Sequence, residues 1–235
     1  VEAHIEIGES CRLELRHAVL VYGSAHRAFA SLHDITVQKE GAPTLGAARP
    51  LSLAFLRKLA EGLGSQVAAE ILPVNVLVRT PEMLVWWSLA SRQIMFFGEA
   101  DAEARKLNGK LFPHPPLVFK VRGRELYVRA LEKNVRPDAG SRLKTAPYWN
   151  VAGEDGRVCL GTVRAPEDVS VTSIGAWQSA FHNSEFTHAL GTVRLTTHPG
   201  GFVGLWQKLA GKRHFPMRYL VEAKETLAEF VARER

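Results

Sequence analysis

Leu117-Val118-Phe119-Lys120-Val121-Arg122-Gly123-Arg124-Glu125-Leu126-Tyr127-Val128-Arg129-Ala130-Leu131 is the stretch on which the fold turns. Two runs of β-branched, aromatic and aliphatic residues flank a break at Arg122-Gly123-Arg124. Glycine supplies the positive φ that a tight hairpin turn demands, so the spacing predicts residues 117–121 paired antiparallel with residues 126–131.

Further strands are predicted on either side of this hairpin. Upstream, residues 74–78, 84–89 and 94–97 are strand-like, and a short Ala/Glu-rich helix over 100–107 ends at Asn108-Gly109. Phe112-Pro113-His114-Pro115-Pro116 reads as a rigid extended connector, because each proline fixes its own φ and restrains its predecessor. Nearer the start, residues 14–22 and 35–38 are β-rich and bounded by Gly23 and Gly41. Gly41-Ala42-Pro43 and residues 46–50 form a loop, with Pro50 placed for a first helical turn. Leu56, Leu59, Ala60 and Leu63 then recur at helical spacing up to Gly64, which predicts a helix laying its apolar face on a sheet.

Downstream, residues 136–140 form a turn before a strand that leads into a cysteine-bearing loop. Thr172 or Ser173 is positioned to cap a helix carrying Ile174, Trp177 and Phe181. Phe202, Leu205, Trp206 and Leu209 mark a second helix, and Leu220, Ala223, Leu227 and Val231 suggest a third. Strands first and helices after argue for an α+β class, divided into a β-rich N-terminal part (1–80) and a core (81–235). Trp86, Trp87, Trp177 and Trp206 all sit in apolar stretches and read as packing residues.

Composition narrows the function classes. The 235 residues are 46% hydrophobic and 23% charged, ordinary for a folded protein, and no run of apolar residues is long enough for a membrane helix. Val1-Glu2-Ala3-His4-Ile5 has neither a basic nor a hydrophobic secretory character, so a cytoplasmic setting is expected. The net charge of +6 is spread from Arg12 and Arg16 to Lys212 and Arg213 without a basic face, which argues against nucleic-acid binding. Two cysteines, Cys11 and Cys159, make no disulfide framework, and no paired-Cys or His-Glu-x-x-His spacing supports a metal.

The chemically suggestive segment is Thr145-Ala146-Pro147-Tyr148-Trp149-Asn150-Val151, followed by Asp155-Gly156-Arg157-Val158-Cys159-Leu160-Gly161. A carboxamide, a glycine turn and a thiol between apolar neighbours suit acyl transfer through a thioester. The thiolate of Cys159 would be the nucleophile, and the Asn150 side-chain N–H could stabilise the oxyanion that forms. Taken singly, a cysteine beside Val158 and Leu160 is a buried small hydrophobe, Asn150 an Asx-turn residue and Asp155-Gly156 an ordinary turn. Cys11 is read as a thiol packed in a strand.

Three segments together resemble the ubiquitin-conjugating (UBC) superfamily, and more narrowly prokaryotic conjugating-enzyme family D, with the protein B of PRTRC systems. They are residues 112–119, Phe-Pro-His-Pro-Pro-Leu-Val-Phe, similar to the superfamily's aromatic-Pro-x-x-Pro-Pro-x-Val-x-Phe segment with one spacer residue fewer before Pro115 and before Phe119; residues 145–151, where the family has Thr-x-x-x-His-Pro-Asn; and Gly156-Arg157-Val158-Cys159-Leu160. Tyr148-Trp149 stands where that family has His-Pro, and Gly161 where an acidic residue usually follows. The resemblance spans roughly residues 83–186. It implies a UBC-like fold, an antiparallel meander with flanking helices and an active-site loop, to which the N-terminal β-rich segment is an addition. It also implies Cys159 as the thioester nucleophile and Asn150 as the oxyanion stabiliser. Tyr148, Trp149, Glu167, Asp168 and His188 would border the site, with Glu167 or Asp168 positioning an attacking lysine. The implied partners are a ThiF-like activating enzyme, a ubiquitin-like protein and a JAB-type peptidase. No cofactor is implied for this chain.

Three other readings compete. One is a non-catalytic UBC-like scaffold with an inert Cys159. The second is nucleic-acid association, motivated by the net charge and by the plasmid setting that the resemblance implies. The third is a papain-type protease pairing Cys159 with His182, His188 or His198, disfavoured because the cysteine does not head a helix.

Overall fold

The computed structural model describes residues 15–23, 28–36, 42–62, 71–98 and 101–233. Cys11, Val37, Gln38, Gly41, Leu63, Gly64 and Ala100 lie outside them. The chain divides into two compact units, residues 1–70 and 71–235.

In the first unit β1 (His17–Gly23) pairs antiparallel with β2 (Ala28–Thr36). The expected loop before the helix contains two short strands, β3 (Thr44–Leu45) and β4 (Arg49–Pro50), both on β2. Pro50 therefore belongs to a strand, and Ser52 starts α1 (Leu53–Gly62) by accepting from the Phe55 N–H at 3.1 Å. Leu56 and Leu59 are exposed rather than packed, and the helix meets β1 through the edge contact of Phe55 with His17.

The second unit is built on a sheet whose order is β13-β11-β10-β9-β6-β5. Its strands are β5 (Val76–Arg79), β6 (Met83–Ser88), β9 (Leu117–Arg122), β10 (Glu125–Ala130), β11 (Arg142–Thr145) and β13 (Val221–Thr226). Between β6 and β9 the chain leaves this sheet to make β7 (Ser91–Phe97), the one-turn helix α2 (Ala102–Arg105) and β8 (Lys110–His114). The central hairpin pairs Arg122 with Glu125, so Gly123 (φ 58°) and Arg124 form the expected tight turn. The proline-rich stretch is more than a connector: β8 is an edge strand on β7, where Pro113 costs no ladder bond.

Both faces of the main sheet are covered, which is why β9 and β10 read as near-continuous apolar runs. Leu84, Trp86, Phe119, Val121, Leu126 and Val128 face a core shared with α3 (Ile174–His182) and α4 (Gly201–Leu209). Trp177, Phe181, Leu205 and Trp206 are completely buried there. On the opposite face Val85, Val118, Tyr127, Leu131 and Leu143 pack with Leu227 and Phe230 of α5 (Leu227–Ala232). The third predicted helix is thus shorter than its periodicity suggests. Leu220 precedes and Ala223 lies within β13, and the helix begins only where Thr226 and Glu229 cap it reciprocally. β12 (Glu185–Phe186) follows α3 and pairs parallel with β7. The result is a mixed α+β fold with mainly antiparallel sheets, and no helix among the described residues is long and apolar enough to cross a membrane.

Candidate active site

β11 pairs with β10 only at Arg129 and Ala130, so the earlier half of that β10 edge is open to another segment. The thiol loop fills it. Val128 N–H donates to Gly156 O and Val158 N–H to Leu126 O, each at 2.8 Å, with a bridge between Tyr127 and Arg157. The loop also closes on itself: Cys159 N–H donates to Asn150 O and Ala152 N–H to Arg157 O, both at 2.8 Å, and Val151 bridges Val158. Gly156 makes the reversal at φ 83°, and the Asp155 carboxylate accepts from the Arg157 N–H at 2.9 Å. Strand-like alternation then turns Val158 toward the core and leaves Cys159 exposed.

Asn150 and Cys159 are therefore neighbours through their backbones, and their side chains differ in environment. Asn150 is buried, its Nδ2 donates to Ser184 Oγ at 2.6 Å, and Ser184 Oγ donates in turn to Phe181 O at 2.7 Å. Its Oδ1 is buried without a hydrogen-bond partner among the described residues. Ser184 is a site residue that sequence reading missed; its only signal is a small hydroxyl just after a helix end.

Tyr148 lies in the core under the loop, wholly buried and stacked on His114, Phe186 and Trp206, so it is no part of a solvent-facing border. Trp149 is half-buried, stacks on Phe202 with ring centroids 4.2 Å apart, and its carbonyl accepts from Leu190 N–H at 3.0 Å. This pair fastens the entry to the loop. Glu167 is exposed and paired with Arg164 at 2.7 Å. Asp168 is exposed, its carboxylate accepts from Ser170 Oγ, and its carbonyl accepts from Trp177 Nε1 at 3.0 Å, tying the loop after the thiol to α3. His188 is exposed beside Thr187 Oγ1 at 2.8 Å.

The other two histidines of the protease alternative have neighbours of their own. His182 packs edge-on to His114 and Phe181, and burial pushes its pKa down to about 4. His198 accepts from Gly200 N–H and sits against Tyr219. Among the described residues no group of three or more His, Cys, Asp or Glu is arranged to hold a metal ion.

The turn at the loop tip is held from below. Arg129, fully buried on β10, donates from Nη1 to Gly153 O and from Nη2 to Glu154 O, each at 2.9 Å, and from Nε to Glu225 Oε1 at 2.6 Å. Burial lowers its pKa, and Glu225 opposes that shift. From the side, the Glu154 carboxylate accepts from the Thr192 N–H at 3.0 Å, a bond that holds it below the usual carboxylate range.

No curated protein and no solved structure matches the chain. A family match, described as Prokaryotic E2 family D, covers residues 54–223, more than half of the chain, and includes the whole thiol loop. The chain belongs to prokaryotic E2 family D, and its role is of the conjugating-enzyme type, in which an activating enzyme and a ubiquitin-like protein are the general partners.

Proposed function

We propose that this chain accepts the C-terminus of a ubiquitin-like protein as a thioester on Cys159 and passes it to an amine. The observation that carries this reading is an exposed thiol at the end of a backbone-locked hairpin, in a chain of a conjugating-enzyme family. In loading, the Cys159 thiolate attacks the thioester carbonyl on the activating enzyme. A new C–S bond forms and the activating enzyme's thiolate leaves. In discharge, an amine attacks that carbonyl, the C–N bond forms, the Cys159 thiolate departs and the amine loses its proton. ATP is consumed by the activating enzyme, so this chain needs no cofactor.

Asn150 offers an N–H to the oxyanion of the discharge step, worth roughly 3 kcal/mol by analogy with other such donors. Glu167 or Asp168, on the loop after the thiol, would position the incoming lysine, with Trp149 and His188 nearby in the sequence-derived border. The setting proposed is cytoplasmic, in a bacterial PRTRC-type operon with a ThiF-like activating enzyme and a JAB-type peptidase. The N-terminal strands would be an addition to a UBC-like core.

One observation favours a second reading, a scaffold that docks the same partners without chemistry: the Asn150 carboxamide is buried and already committed to Ser184. The two readings separate in one assay. Incubation with activating enzyme, ubiquitin-like protein and ATP should give a reductant-sensitive adduct that Cys159→Ala abolishes. A partner set proven active that yields no such adduct leaves the scaffold.

A further inference from the structure

Three consecutive carbonyl oxygens at the tip of the thiol loop each accept from a guanidinium. Gly153 O and Glu154 O are held by the fork of Arg129, and Asp155 O accepts from Arg233 Nη1 at 3.0 Å. Two cations drawn onto one turn would repel each other in a buried setting. Glu225 joins them: its Oε1 takes Arg129 Nε and its Oε2 takes Arg233 Nη2. The carboxylate is itself nearly buried. Arg233 is fixed in turn, because Lys120 Nζ donates to Phe230 O at 2.7 Å and Arg233 O at 3.4 Å at the end of α5.

These contacts come from separate parts of the chain: Arg129 from the middle of β10, Glu225 from β13, and Arg233 from just past α5. Glu225 and Arg233 both lie beyond the residues matched by the family. A planar fork that reads two successive carbonyls cannot be copied by a lysine, and a charge-assisted bond is roughly twice as strong as a neutral one. The turn they hold is followed within four residues by the sulfur-bearing position.

We infer that Arg129, Glu225 and Arg233 form a positioning clamp, through which β13 and α5 fix the register of Val158 and Cys159 against β10. The inference rests on the reading of Cys159 as the thioester carrier. None of the three residues touches the reacting atoms. Their effect passes through the backbone of residues 153–155.

Arg233 is only partly buried, so Arg233→Ala in the full chain is the first variant. Amide hydrogen exchange at Val158 and Cys159 should quicken about tenfold, the effect of losing roughly one charge-assisted bond, while β9 amides change less than about twofold. Single-turnover loading from the activating enzyme should slow by about the same factor, with the half-saturating concentration unchanged. Arg233→Lys, which keeps the charge but not the two-pronged fork, should recover only part of both effects. Glu225→Gln should give the same local pattern more strongly. Unchanged exchange at Val158 and Cys159, or an equal rise across every strand of the sheet, overturns the clamp. Variants that follow the exchange pattern, beside a wild-type protein that never loads, leave the clamp standing and remove the thioester reading instead.

Discussion

Tyr148 and His114 form a buried polar pair inside an aromatic stack: the hydroxyl lies 2.8 Å from Nδ1, and the rings are inclined by 13°. Nε2 of His114 faces Gln93 O at 3.4 Å, which can only accept, so Nε2 carries the proton and Nδ1 accepts from the tyrosine. The pair ties β8 to the segment that enters the thiol loop. Tyr148→Phe keeps the stack and strands a buried nitrogen, so it should cost about 1–3 kcal/mol in urea denaturation. A loss below a few tenths would mean that the hydroxyl contributes nothing.

Burial, with a smaller contribution from His182, pushes the pKa of His114 down to about 3, and burial brings His182 to about 4. In the unfolded chain both titrate near 6.5. Below that pH the unfolded state binds protons that the folded state refuses, so stability rises with pH through this window. It should be complete above about pH 6.5 and fall by on the order of 3 kcal/mol toward pH 5. His182 Nδ1 has no partner among the described residues, so His182→Phe should flatten the slope without harming the fold at pH 8. Chemical denaturation of both proteins across pH 5–8 checks this, and parallel curves would contradict it.

Gly156 adopts φ 83°, and a Cβ there would lie 2.8 Å from Val128 O. Gly161 also has a positive φ, at 60°, but open space around it. Gly156→Ala should therefore cost about 2–4 kcal/mol and Gly161→Ala about 1 kcal/mol, since only the first adds a clash with backbone to the left-handed penalty. Equal thermal shifts for the two variants would argue that the close approach to β10 is unimportant.

Asn150→Ala should slow discharge to a free amine about a hundredfold, and more than it slows loading, if its N–H serves the oxyanion. Ser184→Ala frees the carboxamide from its buried partner while leaving its chemistry intact. Single-turnover loading and discharge of both variants separate a catalytic amide from a structural one. Equal losses in both steps, seen in both variants, would assign Asn150 to holding the loop.

The parts of this fold that were legible in the sequence are those with local signals. Gly123 marks the β9–β10 turn, and Phe202, Leu205, Trp206 and Leu209 recur with the period of a helix. β13 was not legible by the same rule, because apolar residues three and four apart at 220–231 span a strand and a helix together. Thr226 and Glu229, a capping box, were the available marker of the boundary. In the candidate site, Cys159 and Asn150 are singled out by the resemblance that their segments carry together, and their backbone contact is closed across the Asp155-Gly156 turn. Arg129 could not be paired with Glu225 from sequence. A charged residue inside the run 126–131 hints at an inward ion, but its partner is 96 residues away. Tyr148 is named at the border because Tyr148-Trp149 stands where the family has His-Pro, and its burial depends on His114, Phe186 and Trp206 converging from distant elements.

The rungs joining residues 156–158 to β10, and Val151 to Val158, impose a parity rule on the hairpin. One residue added between Gly156 and Cys159, past the turn, would exchange inward and outward positions, so that the sulfur would face the core and its neighbour the solvent. Length drift among relatives should accordingly avoid residues 156–159, or come there in pairs of residues, and gather instead in the stretch after Gly161.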